Sequence, residues 1–431
     1  MLMKTILLLI LILVLASCNP KTSKNQELIK QIKSNEYFAF TKKKALEVVK
    51  TGFNAGDGYG EVWIRDYNTF IELSAEVYPD SVLKENLLVF FRMQGDDGNI
   101  IDGFSPIEKV GKNTPDFTYS DLEPRYAAHK NTVETDQESS LIQAIYKYIR
   151  VTGDRTIFDE KIGDKTVAER MVWAMDFLMN ERYNEKYGLI IGATTADWGD
   201  VQPEHGWGVD LDNNTHKAID IYDNAMFIIA LNNLIEMLPE TKERWLPIKN
   251  RIAENTRKYL WDEKNQKYRP HIYLNGSPFP KDFNEDKIFY HGGTAIAIEA
   301  GLLSKEEIKI SLDKMIANVK ASGAGSIGLT LYPPYPAGFF ANKIMNPEYS
   351  YQNGGDWTWF GGRMIQELIK NGFVEEAYQQ MQPMVKRVKD NDGFFEWYSV
   401  NNEPRGSGTF RGSAGVLYKA IIMFEELGKN Q

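Results

Sequence analysis

A chain of 431 residues with 43% hydrophobic and 25% charged residues has ample material for one large core, and a formal charge of −9 excludes a nucleic-acid backbone as its partner. Its single cysteine excludes an internal disulfide and any zinc site built on several thiolates. Nine Trp and 22 Tyr are more than a core needs, and sugar-binding clefts use such flat apolar faces with polar edges.

The chain opens on "MLMKTILLLILILVLASC", in which Lys4 precedes an aliphatic run that closes on Leu15-Ala16-Ser17-Cys18. This reads as a secretory signal rather than a spanning helix. The last four residues resemble the lipobox of bacterial lipoproteins, in which the cysteine becomes the lipidated first residue. The expected layout is a signal over 1–18, a polar tether over 19–30 and one domain over 31–431. It places the protein on a bacterial membrane, on the periplasmic or cell-surface side.

Beyond the tether, apolar residues recur at helical spacing. Helices are predicted near 36–51, 67–78, 81–95, 137–152, 164–183, 217–237, 240–261, 292–301, 304–319, 356–371, 373–389 and 412–428. Gly153, Gly301 and Gly372 each stand between two of them and suit the left-handed residue that ends a helix, so they mark α-hairpin turns. Antiparallel pairs in series predict an α-solenoid or a closed toroid of six hairpins. The intervening segments at 96–135, 188–216, 262–291, 320–355 and 390–411 are long and rich in Gly, Pro, Trp, Tyr and Asp. Loops of that length inside a compact domain are usually functional, and in a toroid they would gather at one mouth.

Four segments concentrate polar and aromatic residues. In "GEVWIRDYNTF", Trp63 and Arg65 stand beside Asp66, which also suits a helix N-cap. In "NTVETDQESS", Asp136 heads a helix, with Glu134 and Glu138 around it. In "ATTADWGDVQPEHGWGVD", Asp197 abuts Trp198, a desolvating neighbour that would keep a carboxyl protonated, and Asp200 is three residues on and could exchange roles with it. In "YSYQNGGDWTWFGG", Asn353-Gly354-Gly355 allows close backbone approach to a ligand beside Trp357 and Trp359. Near the end of the chain, Glu396 sits among Phe394, Phe395, Trp397 and Tyr398, ahead of a Gly-rich loop with Arg405 and Arg411. Asp210, Asp212 and Asn214 open like a calcium loop, but Thr215 replaces its turn glycine and Ile221 its closing glutamate, so no metal is expected. Two isolated carboxylates, one beside Trp and one ringed by aromatics, suit glycoside hydrolysis, where one protonates the leaving oxygen and the other acts from the opposite face of the sugar.

From Trp63 onward the sequence resembles the six-hairpin (α/α) glycosidases, the group that includes alkaline/neutral invertases, trehalase, processing α-glucosidase and glucoamylase, and it is most similar to the invertase-like members. The resemblance rests on Asp136 with Thr152-Gly153-Asp154, on "TTADWGDV", on Tyr351-x-Asn353-Gly354-Gly355-x-Trp357, and on Glu396-Trp397-Tyr398 followed by Ala414-Gly415. It implies an all-α, single-domain (α/α)6 toroid, an inverting mechanism, Asp197 as general acid and Glu396 as base. Trp63, Arg65, Asp66, Asp136, Trp198, Asp200, Asn353, Trp357, Tyr398 and Arg411 would bind substrate. The Arg pair that follows the acid in invertases is replaced by Trp198-Gly199, so sucrose specificity does not carry over. "DWGD" looks closer to the acid loops of other members, disaccharide phosphorylases included, and keeps Asp200 as the rival acid.

The sequence therefore reads as an exo-acting glycoside hydrolase on an α-glucoside-like carbohydrate, working as a monomer without cofactor. The alternatives are a surface glycan-binding lipoprotein without catalysis and a polysaccharide lyase using His129, His205 or Tyr398. If Cys18 carries the lipid, Cys18→Ser should move the protein from the membrane to the soluble fraction on cell fractionation, since a polar tether has no membrane affinity of its own.

Overall fold

The computed structural model describes residues 20–427 except 112, 113, 115, 207 and 208, with side chains from residue 27 onward. The signal and Cys18 lie outside these residues. Among the described residues no helix is long and apolar enough to cross a membrane. The stretch read as a tether is helical over Pro20–Lys33 (α1), and its second half docks, with Leu28 against the core and Ile32 buried.

Twelve further helices alternate between an outer and an inner layer. The outer ones are α2 (Glu36–Val49), α4 (Asp80–Arg92), α6 (Val167–Glu181), α8 (Lys242–Leu260), α10 (Lys305–Ser322) and α12 (Val374–Asp390). Between them run the inner α3 (Ile64–Ser74), α5 (Gln137–Thr152), α7 (Ile221–Met237), α9 (His291–Glu299), α11 (Thr358–Lys370) and α13 (Arg411–Leu427). Each inner helix packs on the next and α13 packs back on α3, so the inner ring is closed. This is the expected all-α (α/α)6 toroid.

Local chemistry explains the layers. An inner helix meets neighbours on all sides, and α7, "IYDNAMFIIALNNLIEM", is buried almost all round its first three turns. Outer helices bury one stripe; α6 and α10 begin with capping boxes, Thr166 with Glu169 and Ser304 with Glu307, that satisfy their first N–H groups. The hairpin turns at Gly153, Gly301 and Gly372 have φ of 73°, 76° and 81°, as the spacing predicted.

Inner-to-outer connections are mostly short and outer-to-inner connections mostly long. The long segments therefore collect at one end, where the inner helices begin. They are tied down by short strands that helical periodicity does not reveal, because each is only a few residues long. β1 (Val62–Trp63), β2 (Gly103–Pro106) and β3 (Tyr126–His129) form one antiparallel sheet in that order. β4 (Trp397–Tyr398) pairs with β5 (Pro404–Arg405).

Close packing of the ring depends on small residues. A Cβ on Gly415 of α13 would stand 2.4 Å from the carbonyl oxygen of Thr69 and 2.6 Å from Cα of Phe70 in α3. Both obstacles are backbone, so the helices themselves would have to part. Gly415→Ala should therefore destabilise the fold by about 1–3 kcal/mol, measured as a lower Tm or denaturant midpoint.

Candidate active site

The mouth of the toroid holds a cavity of about 920 Å3. Its walls come from the segment before α3, the loops leading to α5 and α7, and Tyr351. Four of the residues assigned to substrate, Trp63, Arg65, Asp66 and Asp200, line it.

Beneath the cavity lies a buried ion cluster. Arg65 Nε donates to Asp136 Oδ2 (2.8 Å), and its Nη2 donates to Asp136 Oδ1 (3.2 Å) and pairs with Glu134 Oε2. The Tyr222 hydroxyl donates to Asp136 Oδ2 at 2.7 Å. Asp136 occupies the N-cap position of α5 but makes no capping bond, and it is fully buried with both oxygens engaged. It orients Arg65 and does not line the cavity, which corrects its assignment to substrate.

Asp66 is likewise no cap: the N-cap of α3 is Trp63, and Asp66 lies in the first turn, 5% exposed. Its Oδ1 accepts no hydrogen bond among the described residues, and burial raises its pKa well above the usual range, with Glu396, Asp102 and Asp200 adding to the rise and Arg65 opposing it.

The "DWGD" loop separates its two acids. Asp197, at φ 57°, turns inward, where Oδ2 accepts the N–H of Gly292 and Oδ1 that of Gly293, each at 2.7 Å. It thereby caps the start of α9. Burial pushes its pKa well up while the two N–H groups pull it down. Being 1% exposed, with both oxygens taken by backbone, it is placed as a structural carboxylate rather than a proton donor to the cavity. Asp200, three residues on, is the acid that this loop offers to the cavity, and its Oδ1 has no hydrogen-bond partner. Trp198 is also turned away, stacked on Phe360 (4.4 Å between centroids) and edge-on to Trp357 and Trp359.

Glu396 lies in an extended segment in which Phe394, Glu396 and Tyr398 are buried while Phe395 and Trp397 stay partly exposed. Its N–H donates to the Ser407 carbonyl (2.9 Å), and its Oε2 accepts the Tyr59 hydroxyl (2.7 Å) and the Ser407 N–H (3.2 Å). Burial raises its pKa; those two donors work against the rise, and the nearby negative charges of Asp200 and Asp57 add to it. Tyr59 lines the cavity, whereas Glu396, 3% exposed, stands behind it and is joined to the wall through this hydroxyl.

Four other residues assigned to substrate hold the loops instead. Asn353 bonds the backbone of Tyr335 through both its amide atoms, and Trp357 Nε1 donates to the Tyr351 carbonyl at 3.0 Å. Tyr398 lies buried with the Arg387 guanidinium 4.3 Å above its ring. Arg411 binds Asn54 and Thr51, fastening the start of α13 to the end of α2. Arg405 is exposed and pairs with Glu403. Of the groups considered for a lyase, His129 packs on Phe117 and His205 pairs with Asp212 at 3.2 Å. Among the described residues no cluster of three His, Cys, Asp or Glu is arranged to hold a metal, and Asp212 Oδ1 is occupied by the N–H groups of Asn214 and Thr215.

The sequence reading missed Tyr59 and Asp102. Tyr59 stands between glycines in "GDGYGE", and Asp102 follows two isoleucines just before β2. Neither has a local signal of chemistry, because each becomes part of the site through a partner far along the chain.

Residues 35–358 match the family described as "Glycosyl hydrolase 94 superfamily, catalytic domain". The chain belongs to the glycosyl hydrolase 94 superfamily, and it is a glycoside hydrolase in class. No curated protein matches it. Its fold is shared with an uncharacterized conserved protein from Thermus thermophilus (15% identity over 88% of this chain and 99% of that one, TM-score 0.62). It is also shared with the GH63 mannosylglycerate hydrolase from that organism, solved with Tris and D-glycerate (15% identity, 88% and 99%, TM-score 0.59). A GH78 rhamnosidase of Bacillus sp. GL1 matches at 14% identity over 89% of this chain and 34% of its own, with a TM-score of 0.60.

Among the acids of this site, Asp102 carries a pKa raised to about 7, chiefly by burial. A carboxyl whose folded pKa lies above its unfolded value binds more protons folded than unfolded, so stability falls as pH rises from about 4 through 7. Asp102→Asn should remove that slope and raise the Tm at pH 8 while leaving it nearly unchanged at pH 4, by scanning calorimetry across pH.

Proposed function

We propose that this glycoside hydrolase is an inverting, exo-acting enzyme in which Asp200 protonates the departing oxygen and Glu396 holds the attacking water. The observation that carries the reading is the division of labour in "DWGD". Asp197 is consumed by the N-terminus of α9, whereas Asp200 lines the cavity and shares its electrostatic field with Glu396. Both protein donors to Glu396 fall on Oε2 and favour its ionised form, which leaves Oε1 to orient a water. Asp66 and Arg65, on the wall of the same cavity, would contact the sugar.

Water suits this cavity better than phosphate as the second substrate. Among the described residues that line it, the Lys and Arg groups are Arg65, paired with Asp136 and Glu134, and Lys130, bonded to Glu138 at 2.7 Å. Neither has charge to spare for an anion. The Thermus mannosylglycerate hydrolase was solved with D-glycerate, a carboxylate; by the same argument an anionic leaving group is disfavoured here. The sugar is taken to be α-glucoside-like, from the resemblance of the motifs, and the lipid at Cys18 and a monomeric state belong to the same reading.

Asp200→Asn should lower kcat on alkyl glycosides or disaccharides by roughly two to four orders of magnitude and spare aryl glycosides whose leaving group needs no proton. Glu396→Ala should lose a similar factor on both classes. Asp197→Asn should instead lower Tm while keeping kcat below the melting range. Loss of proton-donor behaviour in Asp197→Asn with retention in Asp200→Asn would return the role to Asp197. Proton NMR of the first-formed sugar should give the anomer opposite to the substrate's, as required of a base that holds water across a gap of about 6.5–9.5 Å rather than bonding the sugar. A chain that binds glycans but turns over none in a broad glycoside screen would be the binding lipoprotein instead.

A further inference from the structure

The cavity holds more negative charge than two-carboxylate chemistry requires. β1 pairs with β2, and the Ile64 N–H donates to the Asp102 carbonyl at 2.9 Å, so the first turn of α3 and the residue before β2 are fixed together. This brings Asp66 and Asp102 onto one wall. Among the described residues none donates a hydrogen bond to either carboxylate; Asp102 is half-buried, and Asp66, 5% exposed, has its Oδ1 buried without a partner. Glu134 Oε1 and Asp200 Oδ1, on the same cavity, are buried without partners as well. The two cations of the wall are bound to other carboxylates, as described above, while His129 faces Glu61 at 3.9 Å and His205 faces Asp212.

Two neighbouring carboxylates without a donor between them, Asp66 buried and Asp102 half-buried, carry a desolvation and repulsion cost, relieved by a proton or by a bound cation. A sugar hydroxyl donates one hydrogen and leaves the charge in place. An ammonium group donates three and cancels it.

We propose that Asp66 and Asp102 form an ammonium subsite, so that the sugar cleaved in this cavity carries a protonated amine. This rests on the cavity being the glycosidase site. The amine would lie on the wall beside Asp200, and the excess of acids that repels phosphate and carboxylate ligands would be what selects it.

The test is calorimetric binding of matched monosaccharides to the wild-type protein at neutral pH and low salt: glucosamine, mannosamine and galactosamine, each against its neutral parent and its N-acetyl form. At least one amino sugar should bind roughly tenfold tighter or more than both of its partners, the scale of one charge-assisted hydrogen bond. That preference should vanish in Asp102→Asn, with Asp66→Asn as the second variant should the first be unfolded by circular dichroism. Equal affinities within every set overturn the subsite even if neutral glycosides are hydrolysed. Binding of calcium or magnesium alone, lost in the same variants and with no amine preference, overturns it in favour of a metal. An amine preference without hydrolysis of any glycoside upholds the subsite and sinks the enzymatic reading.

Discussion

The six inner helices all enter the mouth by their N-termini, and that shared direction governs what can be placed at either end of the toroid. The start of a helix carries partial positive charge and free N–H groups, so carboxylates are favoured there and cations are favoured at the far end. The arrangement follows this polarity. Asp66, Asp136, Asp197 and Asp220 sit at or against the starts of α3, α5, α9 and α7. Lys147, Arg150, Arg363, Lys370 and Lys419 line a cavity of about 370 Å3 at the opposite end. An acid-rich site is thus built into the topology before any particular residue is chosen.

Polarity alone does not sort these acids into roles; their hydrogen bonds do. Asp197 is fully served by two backbone donors and Asp136 by Arg65 and Tyr222, and such groups hold shape. Among the described residues, Asp66 Oδ1 and Asp200 Oδ1 have no donor, and Glu396 is served on one oxygen alone. Carboxylates left without donors are costly where they are shielded from water, and their place on the cavity makes a ligand the natural source of the missing donors.

Much of this was legible in the sequence. Helical periodicity and three glycines at left-handed turns predict the twelve helices and their pairing, because both signals are local. The distinction between Asp197 and Asp200 was not legible. The sequence makes Trp198 the group that desolvates Asp197, and Asp197 is indeed buried, but the donors that claim it belong to Gly292 and Gly293, 95 and 96 residues away. Spacing along a loop cannot say which of two acids faces in. The aromatic residues taken for a sugar-binding surface divide in the same way: Trp63 reaches the cavity, while Trp198, Trp357 and Tyr398 pack beneath it.

Ring closure has a further meaning for how the protein is made. Glu396 meets Tyr59 across 337 positions of sequence, and Arg411 reaches Asn54 across 357. Hairpins can form one by one as the chain emerges, since their contacts are local. The first hairpin nonetheless waits for the last, with one flank of α3 uncovered until α13 arrives. The contact of Glu396 with Tyr59 is therefore among the last parts of the site to form during synthesis, and a chain cut short before α13 would retain most of its helices yet leave the ring open beside α3.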